Sequence, residues 1–549
     1  MTSNRQPPSI SRTAGPSLGA LLIDSALAYG ERVALVVDGA SHTYADFVGR
    51  AARIGAVLAA APVSAPALGA VFAGHTLTSY LGVVGTLLSG AGYVPLNPRF
   101  PDARNATMLR ASGARSLVIG SEHLGRLDAL LAGLTAPVTV VVPDLVDTEA
   151  LASRLAPHVI VGAAALDAAS PALERPAVDP GSIGYLMFTS GSTGTPRGVG
   201  VTHQNALHHL AAMWERYGVT VEDRLSQTFD LTFDLSVFDM FVAWGRGAAL
   251  YSVPATDMLA PAKFIQRTGL TIWFSVPSAA IVMKNLRLLA SGAFPTLRFS
   301  LFCGERLPQS IAEAWQAAAP ASIVENLYGP TEATIACTLY RWEPQRSPAQ
   351  CVEGVVPIGR PYPGMTAAIV DEHLAPVPAG TKGELAVRGP QVTAGYWNDP
   401  DKTAERFVAM PWDAGPENRW YRTGDVAFVG PEGELAFCGR ADDQVKIRGF
   451  RVDLAEIEHG LRQAAGTEAV AVIPDPKDGD TVTGVLGFVA GREGTPPAAI
   501  LLEVKKLLPD YMVPRALVMV SELPLNANGK VDKRQLRRLA EEGPHGHPK

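Results

Sequence analysis

The sequence predicts an α/β protein in which a large N-terminal domain, built from parallel sheets, is followed by a small α+β C-terminal domain. Its 549 residues exceed what one small core needs and indicate two to four domains. Up to about residue 330, short apolar runs alternate with alanine-rich amphipathic stretches, which is typical of β-α units around parallel sheets. From about residue 355, shorter alternating segments between Gly/Pro turns indicate an antiparallel β region.

The predicted elements set the domain boundaries. The parallel strands are the apolar runs 33–37, 116–120, 138–142, 270–276 and 297–302. The antiparallel region contains GELAVRGP and EGELAFCGR, and the last segment has helix LAEIEHGLRQA, strands AVAVIP and TGVLGFVA and helix AAILLEVKKLLP. We expect a disordered leader (1–16), a core of two parallel-sheet subdomains (17–441) with a β-barrel part (about 355–441), a mobile C-terminal lid (442–540) and a disordered tail (541–549).

Composition excludes several classes of protein. The 47 Lys and Arg residues are outnumbered by 53 Asp and Glu residues, so the sequence does not favour nucleic-acid binding. No charged residue occurs between Arg53 and Arg99, but Pro and Gly interrupt that stretch, which favours a buried α/β core over a membrane span. The four cysteines form no CxxC pair, which indicates a reducing compartment, the cytoplasm, and no zinc site. GPSLG at 15–19 fits a nucleophile elbow but follows no strand, so we attribute it to chance.

The stretch TSGSTGTPRGV, residues 189–199, follows the predicted strand IGYLMF, at the kind of strand end where α/β sheets bind ligands. Its glycines allow backbone N–H groups to surround a phosphate, and its hydroxyls and Arg197 would complete an anion site. It is not a Walker A loop. By composition alone, a flexible surface loop explains it equally well.

Five motifs in order carry a family resemblance: TSGSTGTPRGV, NLYGPTEATIA at 326–336, YRTGD at 421–425, GRADDQVKIRGFRVDLAEIE at 439–458 and NGKVDK at 528–533. With them the chain resembles adenylate-forming (ANL) enzymes. It is most similar to the amino-acid adenylation domains of nonribosomal peptide synthetases and to D-alanine:carrier-protein ligases. The resemblance implies that a carboxylate attacks the α-phosphate of ATP, which releases pyrophosphate and leaves an acyl-adenylate.

The resemblance also implies the roles of individual residues. The phosphates would contact Thr189, Ser190, Gly191, Ser192, Thr193, Gly194 and Arg197. Further ATP ligands would be Gly304, Asn326 at the adenine amino group, Tyr328 against adenine, Thr331 at the α-phosphate, Asp425 at the ribose hydroxyls and Arg440. Glu332 would hold Mg²⁺, and Lys530 would contact both the substrate carboxylate and the α-phosphate, where negative charge develops. The simpler interpretations are a turn-capping aspartate for Asp425 and an exposed turn lysine for Lys530.

A second half-reaction, attack of a thiol on the adenylate, is implied by the same resemblance. Asp442 matches the family hinge, and Gly449 would leave room for a phosphopantetheine arm, a role compatible with an ordinary tight turn. Two positions depart from the family pattern. Arg197 stands where lysine is usual and Asp453 where glutamate is usual; a guanidinium keeps the attraction to phosphate but differs in geometry from an ammonium group.

Asp234 indicates that the substrate is an amino acid, because relatives place there the carboxylate that pairs with the α-ammonium group. Its alternative role is a helix N-cap. The other implied pocket residues are uncharged: Leu235, Phe238, Ser275, Leu301, Cys303, Leu327, Ile335 and Ala336. A small neutral amino acid is therefore expected, with proline or alanine favoured over cysteine or serine.

The chain shows no carrier segment after Lys530, so we expect a monomeric enzyme that charges a separate phosphopantetheinylated carrier protein. Whether a small helper protein is needed stays open. Two alternatives are an acyl-CoA synthetase that uses free coenzyme A, and a catalytically lapsed homologue that only binds nucleotide. Asp234 argues against the first alternative, and Glu332, Asp425 and Lys530 together argue against the second.

Overall fold

The computed structural model describes residues 17–60, 68–72, 74–170, 173–191, 195–258, 260–442, 444–478, 481–491, 495–524 and 531–542. The predicted leader, Ser192, Thr193, Gly194, Lys530 and most of the predicted tail lie outside the described residues. The chain divides into two compact units. The first comprises the described parts of Met1–Asn97, Leu109–Met187 and Gly198–Gly439, and the second those of Pro98–Met108, Phe188–Arg197 and Arg440–Lys549. The predicted domain boundaries stay predictions.

The strands are β1 (Val33–Val37), β2 (Ala40–Thr43), β3 (Leu68–Phe72), β4 (Gly92–Leu96), β5 (Ser116–Ile119), β6 (Thr139–Val141), β7 (Val159–Val161), β8 (Ile183–Thr189), β9 (Arg197–Thr202), β10 (Arg224–Gln227), β11 (Ala249–Ser252), β12 (Ile272–Ser275), β13 (Phe299–Phe302), β14 (Ile323–Tyr328), β15 (Thr338–Arg341), β16 (Arg360–Pro361), β17 (Thr366–Val370), β18 (Gly383–Arg388), β19 (Phe407–Val408), β20 (Trp420–Val429), β21 (Leu435–Arg440), β22 (Gln444–Ile447), β23 (Phe450–Asp453), β24 (Val470–Asp478), β25 (Thr481–Ala490) and β26 (Ala516–Val520).

The helices are α1 (Leu18–Tyr29), α2 (Tyr44–Ala60), α3 (Leu77–Leu88), α4 (Asp102–Ser112), α5 (Leu127–Leu131), α6 (Glu149–Arg154), α7 (Ala163–Ala168), α8 (His203–Tyr217), α9 (Leu235–Trp244), α10 (Ala262–Thr268), α11 (Pro277–Asn285), α12 (Gln309–Ala318), α13 (Pro400–Arg406), α14 (Leu454–Ala465), α15 (Pro497–Leu507) and α16 (Lys533–Glu542), with short 3₁₀ helices at Ser121–Arg126, Thr331–Ala333 and Ser347–Ala349. Within the described residues, no helix combines the length and the apolar character that crossing a membrane requires.

The two largest sheets have nine and seven strands, and each of the five predicted parallel strands is a strand of one of them. The nine-stranded sheet has the order β16-β15-β14-β13-β12-β10-β11-β1-β2, and its strands from β14 to β1 are parallel. The seven-stranded sheet has the order β7-β6-β5-β3-β4-β8-β9. Strands such as β12 and β13 are buried along their whole length, as expected for parallel strands covered on both faces. The α/β fold class is confirmed.

The region predicted as a β-barrel contains a third, five-stranded sheet. Its strands follow the open path β17-β18-β20-β19, and β21 pairs with β20. The pairs along that path are antiparallel, as the alternating sequence predicts. Alternation along strands specifies a one-sided sheet but not whether its edges meet, so closure of this region into a barrel stays a prediction.

The second unit contains a hairpin and a small sheet packed against helices. Strands β22 and β23 form the hairpin, and β24-β25-β26 form a three-stranded sheet in which β25 and β26 are parallel. Its main core is formed by apolar side chains of α14, α15, β24 and β25, such as Ile457, Leu461, Val472, Val489 and Val504. The predicted α+β character of the C-terminal part is confirmed.

From two buried histidines on α8 we predict that the folded state of the first unit becomes less stable in acid. His203 accepts a hydrogen bond from Leu18 N–H, and burial lowers its pKa to about 4. Burial also lowers the pKa of His209, to about 3. In the unfolded chain both imidazoles bind a proton below about pH 6.5, whereas the folded state excludes it, so stability falls as the pH decreases from that value. We expect each histidine to cost about 2 kcal/mol of stability between pH 6.5 and about pH 4.5.

The measurement is the midpoint of thermal unfolding as a function of pH. The change His203→Asn, which keeps a side-chain acceptor, should flatten the acid side of this curve. The matched change His373→Asn should not, because that side chain is 82% exposed. Equal acid sensitivity in both variants would contradict the assignment to buried histidines.

Candidate functional site

Several predicted site residues of the first unit meet at the carboxyl ends of three adjacent parallel strands. Ser275 is the last residue of β12, and Cys303 and Gly304 directly follow β13. The predicted segment 326–328 forms the end of β14. Because β12, β13 and β14 are neighbours in one sheet, the side chains at their carboxyl ends share one edge, which is where open α/β sheets bind ligands.

The predicted amino-acid pocket is neutral and buried. Apart from Asp234, each of its residues is at most 2% exposed: Leu235, Phe238, Ser275, Leu301, Cys303, Leu327, Ile335 and Ala336. Phe238 packs edge-on against Phe274, with ring centroids 4.7 Å apart. The Ser275 hydroxyl accepts a hydrogen bond of 3.0 Å from the Trp273 indole N–H. These uncharged side chains could not pair with a charged side chain of the substrate.

Asp234 is a buried carboxylate directed at the pocket wall. It immediately precedes α9, but its side chain makes no capping hydrogen bond to that helix. Instead, its Oδ2 accepts a hydrogen bond of 3.3 Å from Ile335 N–H, while the residue is only 3% exposed. The Asp234 side chain therefore does not act as an N-cap. A buried carboxylate is costly unless positive charge or N–H donors compensate it.

The predicted adenine and ribose ligands lie in the same unit. Asn326 donates through Nδ2 to Pro357 O at 2.9 Å and to Val356 O at 3.3 Å, and its buried Oδ1 accepts no hydrogen bond within the described part of the chain. An orphaned buried acceptor matches the amino group of adenine. Tyr328 donates its hydroxyl proton to Asp425, a buried residue inside β20, and the pKa of Tyr328 is raised by burial and by this carboxylate. Asp425 is thus a strand residue and not a turn cap.

Glu332, the predicted metal ligand, is only 1% exposed and sits in a 3₁₀ turn directly after Thr331. Tyr396 donates its hydroxyl proton to Glu332 Oε1 at 2.9 Å, and Thr393 N–H donates to Glu332 O at 2.9 Å. Sequence reasoning missed Tyr396, which lies 64 residues away from Glu332. Among the described residues, no group of three or more His, Cys, Asp and Glu side chains is placed to hold a metal ion. One carboxylate is sufficient for Mg²⁺ when phosphate oxygens supply the other ligands.

The predicted phosphate loop belongs to the second unit, where its described residues contact the segment 451–456. Ser190 Oγ donates to Arg451 O at 2.7 Å and accepts from Asp453 N–H at 3.1 Å. Gly191 N–H donates to Glu456 Oε2 at 3.2 Å. A Cβ on Gly191 would meet Thr195 O at 2.3 Å, so this position requires glycine. The loop N–H group is thus already directed at a negatively charged oxygen.

Glu456 is part of a buried ion pair that sequence reasoning missed. Its Oε1 accepts from Arg104 Nη1, and the Arg104 and Glu456 side chains are 7% and 1% exposed. Burial raises the pKa of Glu456, although Arg104 and Gly191 N–H oppose that shift. The 352 residues between the partners explain why no local pattern predicts the pair.

The predicted hinge and tunnel residues also lie in the second unit. Asp442 accepts two hydrogen bonds from Arg440, at 2.6 and 2.8 Å, and these lower the pKa of Asp442 although burial opposes the shift. Gly449 has φ +84° and follows Arg448 with φ +51° in the two-residue turn between β22 and β23. Positive φ at both positions is the pattern of a type I′ hairpin turn, so the interpretation of Gly449 as a turn glycine is confirmed.

A cavity of about 540 Å³ lies elsewhere in the first unit, between α8 and β15. Its wall contains Arg216 and Arg341, which pair with the fully buried Glu325 at the base of the same region. Two guanidinium groups thus share one carboxylate, and Arg346, Arg360, Glu343 and Glu434 add charges of both signs to the lining. None of the predicted site residues lines this cavity.

Comparisons with known proteins agree with this geometry. Residues 22–397 match the family model described as AMP-binding enzyme, and residues 456–530 match the AMP-binding enzyme C-terminal domain. The chain is 33% identical to surfactin synthase subunit 2 of Bacillus subtilis over 92% of this chain and 13% of that protein. It is 33% identical to phosphinothricin tripeptide synthetase PhsC of Streptomyces viridochromogenes over 95% of this chain and 45% of that protein. This chain thus spans less than half of either relative.

A solved structure matches over its whole length. The adenylation domain AlmE of Vibrio cholerae, in complex with glycyl-adenosine-5′-phosphate, is 30% identical, with a TM-score of 0.84. The match covers 98% of this chain and 100% of that chain. The fold described above is therefore that of an adenylation domain.

Proposed function

This chain belongs to the AMP-binding enzyme family of AMP-forming ligases, and from that premise we propose that it activates a small neutral amino acid to its aminoacyl-AMP. In this reaction the substrate carboxylate oxygen attacks the α-phosphorus of ATP and pyrophosphate leaves. Most of the catalytic effect in such transfers comes from positioning and from neutralisation of phosphate charge. The amino acid is proline or alanine in the first instance, with cysteine or serine as further candidates.

The observation that carries the proposal is the buried carboxylate of Asp234 in an otherwise neutral pocket. An α-ammonium group beside it would supply the positive charge that burial of a carboxylate requires. A fatty or aryl acid lacks this group and would bring no positive charge beside Asp234. The glycyl adenylate bound to AlmE is likewise the adenylate of a small neutral amino acid.

Residues of the first unit would hold the nucleotide. Asn326 Oδ1 would accept from the adenine amino group, Tyr328 would lie against the ring, and Asp425 would accept from the ribose hydroxyls. Thr331 would contact the α-phosphate and Glu332 would bind Mg²⁺, which supplies charge neutralisation at the phosphates. Tyr396 orients Glu332 through its hydrogen bond. The loop from Thr189 to Arg197 and Arg440 belong to the second unit, and their roles at the leaving phosphates and the sugar stay predictions.

The second proposed step transfers the aminoacyl group to a phosphopantetheine thiol of a separate carrier protein. The thiol sulfur forms a thioester with the acyl carbon, and AMP leaves. Support comes from the resemblance at residues 439–458, including the turn glycine Gly449. The protein is expected to act as a monomer in the cytoplasm, and a small helper protein is a further proposed partner.

The experiment is ATP–pyrophosphate exchange with the purified chain across a panel of acids. The panel contains glycine, both enantiomers of alanine, proline, serine and cysteine, with charged amino acids, a fatty acid and an aryl acid as controls. We expect exchange with one or a few small neutral amino acids. Absence of exchange with every amino acid, or exchange with the fatty or aryl acid alone, would contradict the proposal.

Thioester formation is tested separately, with a phosphopantetheinylated carrier protein and with free coenzyme A as acceptors. Transfer to the carrier supports the second step. Transfer to free coenzyme A alone would favour the acyl-CoA synthetase alternative. A chain that binds ATP but supports no exchange would be the lapsed homologue.

A further inference from the structure

The wall of the proposed amino-acid pocket contains a strained turn. Thr334 and Ile335 have φ values of +58° and +70°, so two consecutive β-branched residues adopt the left-handed conformation. Branching at Cβ makes that conformation unfavourable, and it persists only where the surroundings enforce it. Ile335 and Ala336 are pocket residues, so the forces that hold this turn also define the shape of the pocket.

Gln391 makes the hydrogen bonds that enforce the turn. It is fully buried, and its Nε2 lies 2.7 Å from Ala336 O, 3.2 Å from Ala333 O and 3.3 Å from Thr334 O. The two amide hydrogens are therefore shared among three carbonyl oxygens. In the opposite direction, the Thr334 hydroxyl Oγ1 donates a hydrogen bond of 2.6 Å to the backbone oxygen of Gln391. The Gln391 side chain thus contacts three carbonyl oxygens of the segment 333–336, and Thr334 O accepts in addition from Ala336 N–H at 2.8 Å.

Two further contacts bind the same turn to the pocket. Ile335 N–H donates to Asp234 Oδ2, and His209 Nδ1 lies 3.2 Å from Ala336 O and 3.4 Å from Gln391 Nε2. The bond from Ile335 N–H to Asp234 depends on the positive φ, because φ sets the direction of the N–H group relative to the side chain. Loss of the left-handed conformation would therefore displace the pocket wall and alter the environment of Asp234 together.

We propose that Gln391 is a positioning residue that sets the amino-acid selectivity of the enzyme by holding the turn 333–336. It acts through Ile335, Ala336 and Asp234. The inference rests on the proposed function, because it assumes that these residues contact the amino acid. The expected consequence is selective: recognition of the amino acid depends on Gln391, whereas recognition of ATP does not.

The test compares Gln391→Met with Gln316→Met. Gln316 is a matched control, because its Nε2 also binds two backbone carbonyls, those of Ala319 and Ser322, at the end of α12. In ATP–pyrophosphate exchange with the preferred amino acid, Gln391→Met should raise KM for the amino acid about tenfold and change KM for ATP less than about twofold. The preference for the best over the second-best amino acid should fall about tenfold. Gln316→Met should leave all three quantities near those of the parent chain.

A second variant covers the case in which Gln391→Met fails to fold. Thr334→Val keeps the side-chain shape but removes the hydrogen bond to Gln391 O, and it should shift KM and selectivity in the same direction by a smaller factor. Equal KM changes for ATP and the amino acid, or unchanged selectivity in the folded variants, would overturn the inference. An inactive parent chain would instead contradict the proposed function, so the two failures are distinguishable.

Discussion

Replacing Asp234 by asparagine is expected to lower kcat/KM for the amino acid by about 10²- to 10³-fold, with a much smaller effect on KM for ATP. The amide keeps the size of the side chain and its ability to accept a hydrogen bond from Ile335 N–H. It removes the negative charge that would pair with the α-ammonium group in a site that is 3% exposed. Truncating one partner of a buried charge pair costs about 2 to 5 kcal/mol, because the remaining charge is left without compensation.

The structure offers a matched control on the same helix. Asp239 is also buried, its Oδ2 accepts from Thr228 N–H at 3.3 Å, and burial raises its pKa well above the usual value. Asparagine resembles a protonated aspartate, so Asp239→Asn should change kcat/KM by less than about threefold. Similar losses in the two variants would show that a generic disturbance of α9, and not the charge at Asp234, controls activity.

A comparison of two substrates tests the charge of Asp234 independently of any effect of the substitution on folding. In the parent chain, a carboxylic acid that lacks only the α-amino group should be activated far less well than the amino acid. In Asp234→Asn this discrimination should largely disappear, because the charge that distinguishes the two compounds is gone. Retention of the full discrimination in the variant would contradict the proposed role of Asp234.

The sequence was sufficient to predict the elements that depend on local patterns. The buried runs at 33–37, 116–120 and 270–276 are parallel strands, because an apolar run of that length between helices can be covered on both faces in such a sheet. The sequence also indicated that Asp234 directly precedes a helix. It did not indicate the bond of Asp234 to Ile335 N–H, because the partner lies 101 residues away and is presented by a left-handed turn that residue preferences disfavour.

The supporting contacts of the site could not be predicted for the same reason. Gln391 and Tyr396 contact the segment 332–336 across 55 to 64 residues of chain, and a lone glutamine or tyrosine in GPQVTAGYW has no periodic signal. Asn326 was predicted as an adenine ligand, but its bonds to two backbone carbonyls depend on a loop after β15. Long-range polar contacts to irregular backbone therefore limit what sequence alone establishes.

The second prediction with a large expected effect concerns Lys530, which lies outside the described residues. Replacing it by alanine is expected to lower the rate of aminoacyl-AMP formation by about 10²- to 10³-fold. The resemblance places its ammonium group at the substrate carboxylate and the α-phosphate, where negative charge accumulates during the attack. Transfer of the aminoacyl group from preformed adenylate to a thiol builds no new charge on the pyrophosphate side, so that step should proceed at the parent rate.

Single-turnover assays of the two half-reactions measure this separation. Lys533→Ala is the matched control, because it removes the same charge from the same NGKVDK motif three positions further along. It should leave both half-reactions within about threefold of the parent, since the resemblance assigns this lysine no contact with the reacting atoms. Lys530→Arg should restore only part of the adenylation rate, because a planar guanidinium cannot take the place of a compact ammonium group between two anions. Equal losses in both half-reactions, or an unchanged adenylation rate in Lys530→Ala, would contradict the assignment of this cation to the first step.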